Sequence, residues 1–149
     1  MTGKKVNPDF EFIIDSWRQL ASDAKAVRHE VFVLEQQVPV EMEWDEMDDA
    51  SLHVVCYDAD RQAVATARLL PDGHIGRMAV RQSLRGRGIG GALLRALMDV
   101  AQQRGDHAVL LSAQRHAENF YQHHGFVREG NEYSEAGIAH IAMRHVFLK

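Results

Sequence analysis

Only one cysteine, Cys56, occurs in the 149 residues, so the chain can close no internal disulfide and offers no cysteine-rich zinc site. Such a sequence suits a reducing compartment, the cytoplasm. No stretch approaches the roughly 20 apolar residues that a membrane-spanning helix needs, and Met1 to Asp9 lacks the apolar core of a signal peptide. Basic charge is short as well: 17 Lys and Arg stand against 21 Asp and Glu, a formal net charge of −4. That balance counts against a dedicated binder of nucleic acid or of an anionic membrane, which gathers a basic excess on one face. The nine histidines include no His-x-x-x-His helix spacing and join no cysteine pair, so no metal is expected. Prolines number three (Pro8, Pro39, Pro71), and no Gly/Ser linker or repeat divides the chain, so one domain is expected over residues 1–149. A hydrophobic content of 46% is enough for a core that needs no metal or disulfide.

Alternating apolar residues predict a first strand over Phe10 to Trp17. From Ser22 to Val38 the chain runs without Gly or Pro, and Ala26, Val27, Val31, Leu34 and Val38 fall at helical spacing, which predicts an amphipathic helix up to Pro39. The acidic residues from Glu41 to Asp49 then read as a solvated loop. Three strands are expected next, over Leu52 to Asp58, Ala63 to Leu70 and His74 to Val80. Tight turns at Asp60-Arg61 and Pro71-Asp72-Gly73 would make them an antiparallel meander. Ile89, Leu93, Leu97, Val100 and Ala101 mark one face of a helix ending near Gly105. The apolar run Ala108 to Leu111 predicts a strand covered on both faces and parallel to the strand before that helix. Arg115 to His124 reads as a short helix, and Phe126 to Glu132 and Ile138 to Phe147 as closing strands.

The segment Arg85-Gly86-Arg87-Gly88-Ile89-Gly90-Gly91 lies between a strand and a helix, where unpaired N–H groups and the helix dipole attract anions. Gly86, Gly88 and Gly91 fit the dinucleotide fingerprint, but that reading expects an acid at the end of the next strand, and Leu111 to Gln114 contains none. The P-loop reading fails because no Lys-Ser or Lys-Thr follows the glycines. A plain tight turn would not call for arginines at both Arg85 and Arg87.

With Arg85, Gly88 and Gly90 in the named places, the segment resembles the [Gln/Arg]-x-x-G-x-[Gly/Ala] pattern of the GNAT acetyltransferases, and Ala117-Glu118-Asn119-Phe120-Tyr121 with Gly125-Phe126 resembles their second signature block. The segment from Arg28 to Pro39, with Glu35-Gln36 and Val38-Pro39, and the segment Gly137-Ile138-Ala139-His140 look like the ElaA/YjcF-like branch, with Ala139 where proline is usual. Gln114 stands where many members carry Asn. The resemblance implies an α/β (α+β) fold: a mixed, largely antiparallel sheet with helices on both faces and a splayed central parallel strand pair.

It also implies a single-domain N-acetyltransferase that moves an acetyl group from acetyl-CoA to a primary amine by direct attack in a ternary complex. The alternative is a coenzyme A binding or sensing module with little or no catalysis. The acceptor, a small-molecule amine or a protein amino group, stays open, as does a homodimer. By the family pattern Met78, Ala79 and Val80 should meet the thioester and pantetheine, the segment Arg85, Gly86, Arg87, Gly88, Ile89 and Gly90 the pyrophosphate, and Gln114, Asn119 and Tyr121 the cofactor arm. Tyr121 takes the place of the general acid. His74 lies where some members put a base, and Glu35, Glu43, Asp45, His140 or a water chain are the other candidates. Glu35, Gln36, Glu43, Asp45 and His140 are the expected acceptor contacts, with the acidic loop drawing a cationic amine inward.

Overall fold

Five strands lie side by side in the first half of the chain. In the computed structural model, which describes residues 2–7, 9–135 and 137–148, these are β1 (Thr2–Asn7), β2 (Phe10–Ser16), β3 (Leu52–Tyr57), β4 (Ala63–Leu69) and β5 (Ile75–Val80). They form one antiparallel sheet in that order. The meander expected for β3 to β5 is present, with left-handed backbone at Arg61 (φ 65°) and Gly73 (φ 96°) in its two turns. The strand β1 was not foreseen, because its polar residues carry no alternating signal.

Two helices cover this sheet from opposite sides. On β3, Val54 and Cys56 join the core under α4 (Ile89–Gln103), whereas Val55 joins Leu20, Ala24 and Val27 of α1 (Trp17–Arg28). The strand between them, β4, is buried along its whole length, and its alanines at 63, 65 and 67 let both layers approach closely. Leu93, Leu94 and Leu97 of α4 are wholly buried, each contributing about 1.5–3 kcal/mol by removal from water. Gly105 follows α4 at φ 96°, as its sequence position suggested.

The first long helix departs from expectation. It begins at Trp17, and after Arg28 it widens into a π-helix over His29–Glu35, in which the Gln36 N–H donates to the Val31 carbonyl at 3.0 Å. Apolar spacing alone cannot distinguish a π turn from an α turn. The acidic segment is not a loop either, since it holds two short helices, α2 (Val40–Glu43) and α3 (Met47–Ala50).

The second half builds a smaller antiparallel sheet from β6 (Ala108–Gln114), β7 (Val127–Arg128), β8 (Tyr133–Glu135) and β9 (Ile138–Val146), with β9 at its centre. Buried Val109, Leu111 and Ala113 alternate with half-buried or exposed neighbours, so β6 is covered fully on one face only. The short helix α5 (Glu118–His123) precedes β7. Among the described residues the pairing of β5 with β6 is one parallel bridge, His74 with Leu110, beyond which the two strands part. No helix among the described residues is long and apolar enough to cross a membrane.

Candidate functional site

Where β5 and β6 separate, their backbones and the elements around them enclose a cavity of about 560 Å³. Gly76, Arg77 and Met78 of β5 form one wall, Leu111, Ser112 and Gln114 of β6 the other. Phe32, Gln36, Val38, Met42 and Glu43 close it from the helical region, and Glu135, Ile138 and His140 from β8 and β9. Tyr121 of α5 also lines it.

A bulge shapes the β5 wall. Thr66 pairs with Ala79 and Arg68 with Gly76, so two residues, Arg77 and Met78, face the single Ala67. Arg77 takes φ 49°, unusual for a side-chain-bearing residue. Its guanidinium is anchored by Asp45 at 3.2 Å. After the bulge, the Arg81 N–H donates to the Val64 carbonyl at 3.0 Å, which makes Val80 and Ala65 the non-bonded pair. Antiparallel alternation then turns the backbone N–H and C=O of Val80 away from β4, towards the gap between the sheets.

Beyond β5 a 3-10 turn (Gln82–Leu84) leads to the glycine segment. Gly86 and Gly88 adopt φ 81° and 80°, which only glycine takes without strain. Gly88 is the amino-terminal cap of the 15-residue α4, whose first turn carries no acidic residue, so its positive end is unopposed. Such a terminus, with exposed Arg87 beside it, favours an anionic group such as a phosphate.

Tyr121 is half-buried, and burial raises its pKa, so the phenol keeps its proton through neutral pH. His140 is buried, and its Nδ1 lies 2.8 Å from the Ile138 carbonyl. A carbonyl can only accept, so Nδ1 carries a proton and Nε2 is the ring atom left to exchange one with a ligand. That Nε2 lies 3.7 Å from the Glu135 carboxylate. Tyr133 stacks on His140 with ring centres 6.0 Å apart, and its hydroxyl meets that of Ser112.

Of the acceptor contacts expected from sequence, Gln36, Glu43 and His140 line the cavity. Glu43 does so as half of an ion pair: only 6% exposed, its carboxylate sits 2.5 Å from Arg28 Nε. Asp45 binds Arg68 at 2.7 Å as well as Arg77. Buried Asp48 receives Arg28 and Arg68 at 2.9 and 3.0 Å. Burial pushes the Asp48 carboxyl up, but the two guanidiniums outweigh it and hold the pKa below its ordinary value. Glu43, Asp45 and Asp48 are thus cancelled by Arg28, Arg68 and Arg77. Both carboxylates expected to draw in a cationic amine are therefore already paired with arginines distant in sequence.

Three further expectations are displaced. His74 stands apart from the cavity wall, exposed, with Nδ1 2.9 Å from Asp72, because it belongs to the point where β5 and β6 still meet. Glu35 meets Arg85 rather than the cavity, with bonds of 2.6 and 2.7 Å. The Arg85 side chain is therefore committed to a carboxylate, although its backbone remains part of the glycine segment. On the cofactor side Met78, Gln114 and Tyr121 reach the cavity, Ala79 is buried in β5, and Asn119 is exposed on α5. Sequence reasoning missed Glu135, Arg77, Ser112 and Tyr133; proximity to Gly137-Ile138-Ala139-His140 was the available signal for Glu135 alone. Among the described residues no cluster of His, Cys, Asp and Glu could hold a metal ion.

Residues 20–147 match the model of the acetyltransferase (GNAT) domain. The chain is 40% identical over 124 residues to YjcF of Bacillus subtilis strain 168, described as an uncharacterised N-acetyltransferase, covering 81% of this chain and 89% of that protein. It is 34% identical over 125 residues to ElaA of Escherichia coli K12, covering 78% and 81%. The crystal structure of an acyl-CoA N-acyltransferase from Pseudomonas aeruginosa superposes with a TM-score of 0.83 at 31% identity, over 92% of this chain and 99% of that one. The Escherichia coli ElaA crystal structure gives 0.80 at 31%, over 91% and 99%.

Proposed function

Because the chain belongs to the acetyltransferase (GNAT) family, we propose that it transfers an acetyl group from acetyl-CoA to a primary amine by direct attack within a ternary complex. The observation that carries this reading is the parting of β5 from β6 into a cavity lined by Met78, Tyr121 and His140. Acetyl-CoA supplies the activated acetyl group as a thioester. Amides of Gly86 to Gly90 and the positive end of α4 hold its phosphates, and the Val80 N–H bonds the pantetheine arm.

The Met78 N–H, set by the bulge, faces the carbonyl oxygen and stabilises the charge that develops there as nitrogen attacks. His140 Nε2 takes the proton that the amine must lose, with Glu135 holding the cation beside it. Tyr121 gives its hydroxyl proton to the departing sulfur, and solvent returns a proton to the phenol. A C–N bond forms, the C–S bond breaks, and the products are the amide and the free thiol. His140 rather than His74 is taken as the base, since it is buried in the cavity wall with Nδ1 held by a backbone carbonyl, whereas His74 stands outside.

The test is release of free thiol from acetyl-CoA over a panel of small amines and amino-terminal peptides. Amine-dependent release that stops in His140→Gln supports the reading. Tight coenzyme A binding with no release over the whole panel would make the protein a coenzyme A binding module instead.

A further inference from the structure

Two acidic residues of the π-helix, Glu30 and Glu35, lie five apart in sequence, and i to i+5 winding brings such residues onto neighbouring turns. Opposite them stand Arg81 and Arg85, which flank the 3-10 turn between β5 and the glycine segment. Glu30 lies 3.4 Å from Arg81 Nε, and Glu35 grips Arg85 with both oxygens. The same guanidinium uses Nε to bond the Val80 carbonyl at 2.9 Å. Arg85 thus ties the start of the glycine segment back to the end of β5. Its fork is occupied by a carboxylate, whereas Arg87 has no carboxylate partner among the described residues.

We propose that Glu35 is a positioning residue for the acyl donor: it holds Arg85 against the Val80 carbonyl and so presets the glycine-segment amides, with the Glu30–Arg81 pair as a weaker second tie. The inference rests on the reading of that segment as the coenzyme A phosphate site. It differs from a role for Arg85 as a phosphate ligand, in which Glu35 would compete with the phosphate. Glu35 lowers no barrier itself, and it touches neither acceptor nor acetyl group. Its carboxylate stays ionised, since the hydrogen bonds from Arg85 hold its pKa below the usual range.

The experiment is calorimetric titration of coenzyme A into wild type, Glu35→Ala, Glu35→Gln, Arg85→Ala and the Glu35→Ala/Arg85→Ala double variant, with melting temperatures as the folding control. A bidentate charged pair sets the scale, so each alanine variant should weaken coenzyme A binding about tenfold, and the double variant no more than either single one. Glu35→Gln, which keeps one hydrogen bond, should fall between Glu35→Ala and wild type. In turnover the KM for acetyl-CoA should rise while kcat and the KM for the amine stay within about twofold, a split that general loosening of the helix would not give. Glu35→Ala binding as tightly as wild type, or more tightly, overturns the proposal and returns Arg85 to the phosphates. Wild type that fails to bind coenzyme A ends the reading of the glycine segment itself, a result separate from equal binding by all variants.

Discussion

Along β5, the 3-10 turn and the amino end of α4, the groups offered to a ligand are backbone amides whose directions follow from strand register and from two glycines. Across the cavity, from the π-helix through α2 and α3 to β8 and β9, they are side chains, and their places are fixed by ion pairs between residues distant in sequence. The first wall takes its backbone directions from local signals, is braced to the π-helix through Arg85–Glu35 and Arg81–Glu30, and presents no acidic residue in the first turn of α4. The second depends on charges that must all be present at once, because removing one leaves a buried partner uncompensated. An amide wall suits a ligand of fixed shape, and away from the Glu35–Arg85 tie the side-chain wall can vary without moving it.

The largest expected effect breaks the second wall at its base. Arg28 is 1% exposed and serves Glu43, Asp48 and the Glu43 carbonyl together. Arg28→Ala should cost about 3–5 kcal/mol in urea unfolding, since it strands the buried Glu43 carboxylate and removes one of the two guanidiniums on Asp48. Arg87→Ala on the amide wall should stay within about 0.5 kcal/mol, as an exposed charge with no carboxylate partner among the described residues. Equal losses for the two would erase the difference between the walls.

Next in size is Tyr121→Phe, which keeps the ring but removes the proton donor. Turnover should fall about a hundredfold or more while coenzyme A affinity holds. A fall under about threefold would dismiss Tyr121 as the acid.

The amide wall was legible in the sequence because its signals are local: glycines at 86 and 88, the apolar face of α4, and the strand before them. The ionic wall was not. That Asp45 would meet Arg68 and Arg77, or Glu43 meet Arg28, depends on β4 and β5 lying beside the π-helix and the 40–50 segment, and no spacing rule encodes it. The acidic run looked solvated because composition counts charges without their partners. Likewise the strand expected over Phe126 to Glu132 shrank to Val127–Arg128, since Gly130 turns the chain at φ 87° and leaves β8 to form separately.

Acid offers a third probe of the ionic wall. His53 is 1% exposed with Nε2 on the Asp48 carbonyl at 2.9 Å, and burial holds its pKa below the ordinary value. A histidine kept neutral in the fold binds protons more readily when unfolded, so its contribution is present above about 6.5 and is lost as pH falls through the depressed folded value. Asp45 and Asp48, also depressed, add a second loss below about 3.9. Urea midpoints measured from pH 8 to 3 should therefore decline in two stages, and His53→Gln should flatten the upper one. A midpoint that rises on acidification between 6.5 and 5 would contradict the buried neutral ring.

The smallest effect concerns the charges left over. Glu41, Glu46 and Asp49 are exposed, whereas Glu43 and Asp45 are already paired with arginines. If pairing has cancelled the field of this segment, Glu41→Gln and Glu46→Gln should change the KM for the amine by less than about twofold, and salt should matter little beyond the Debye length of about 10 Å at 0.1 M. Glu135 is different, because it lines the cavity with His140 at 3.7 Å as its neighbour. Glu135→Gln should raise the KM for the amine severalfold, and the rise should persist at high salt, since a contact inside the cavity is poorly screened. Were Glu41→Gln to match Glu135→Gln at low salt and both effects to vanish at high salt, recognition of the amine would be long-range attraction to the segment after all, and the ionic wall would be a solvated surface rather than a built one.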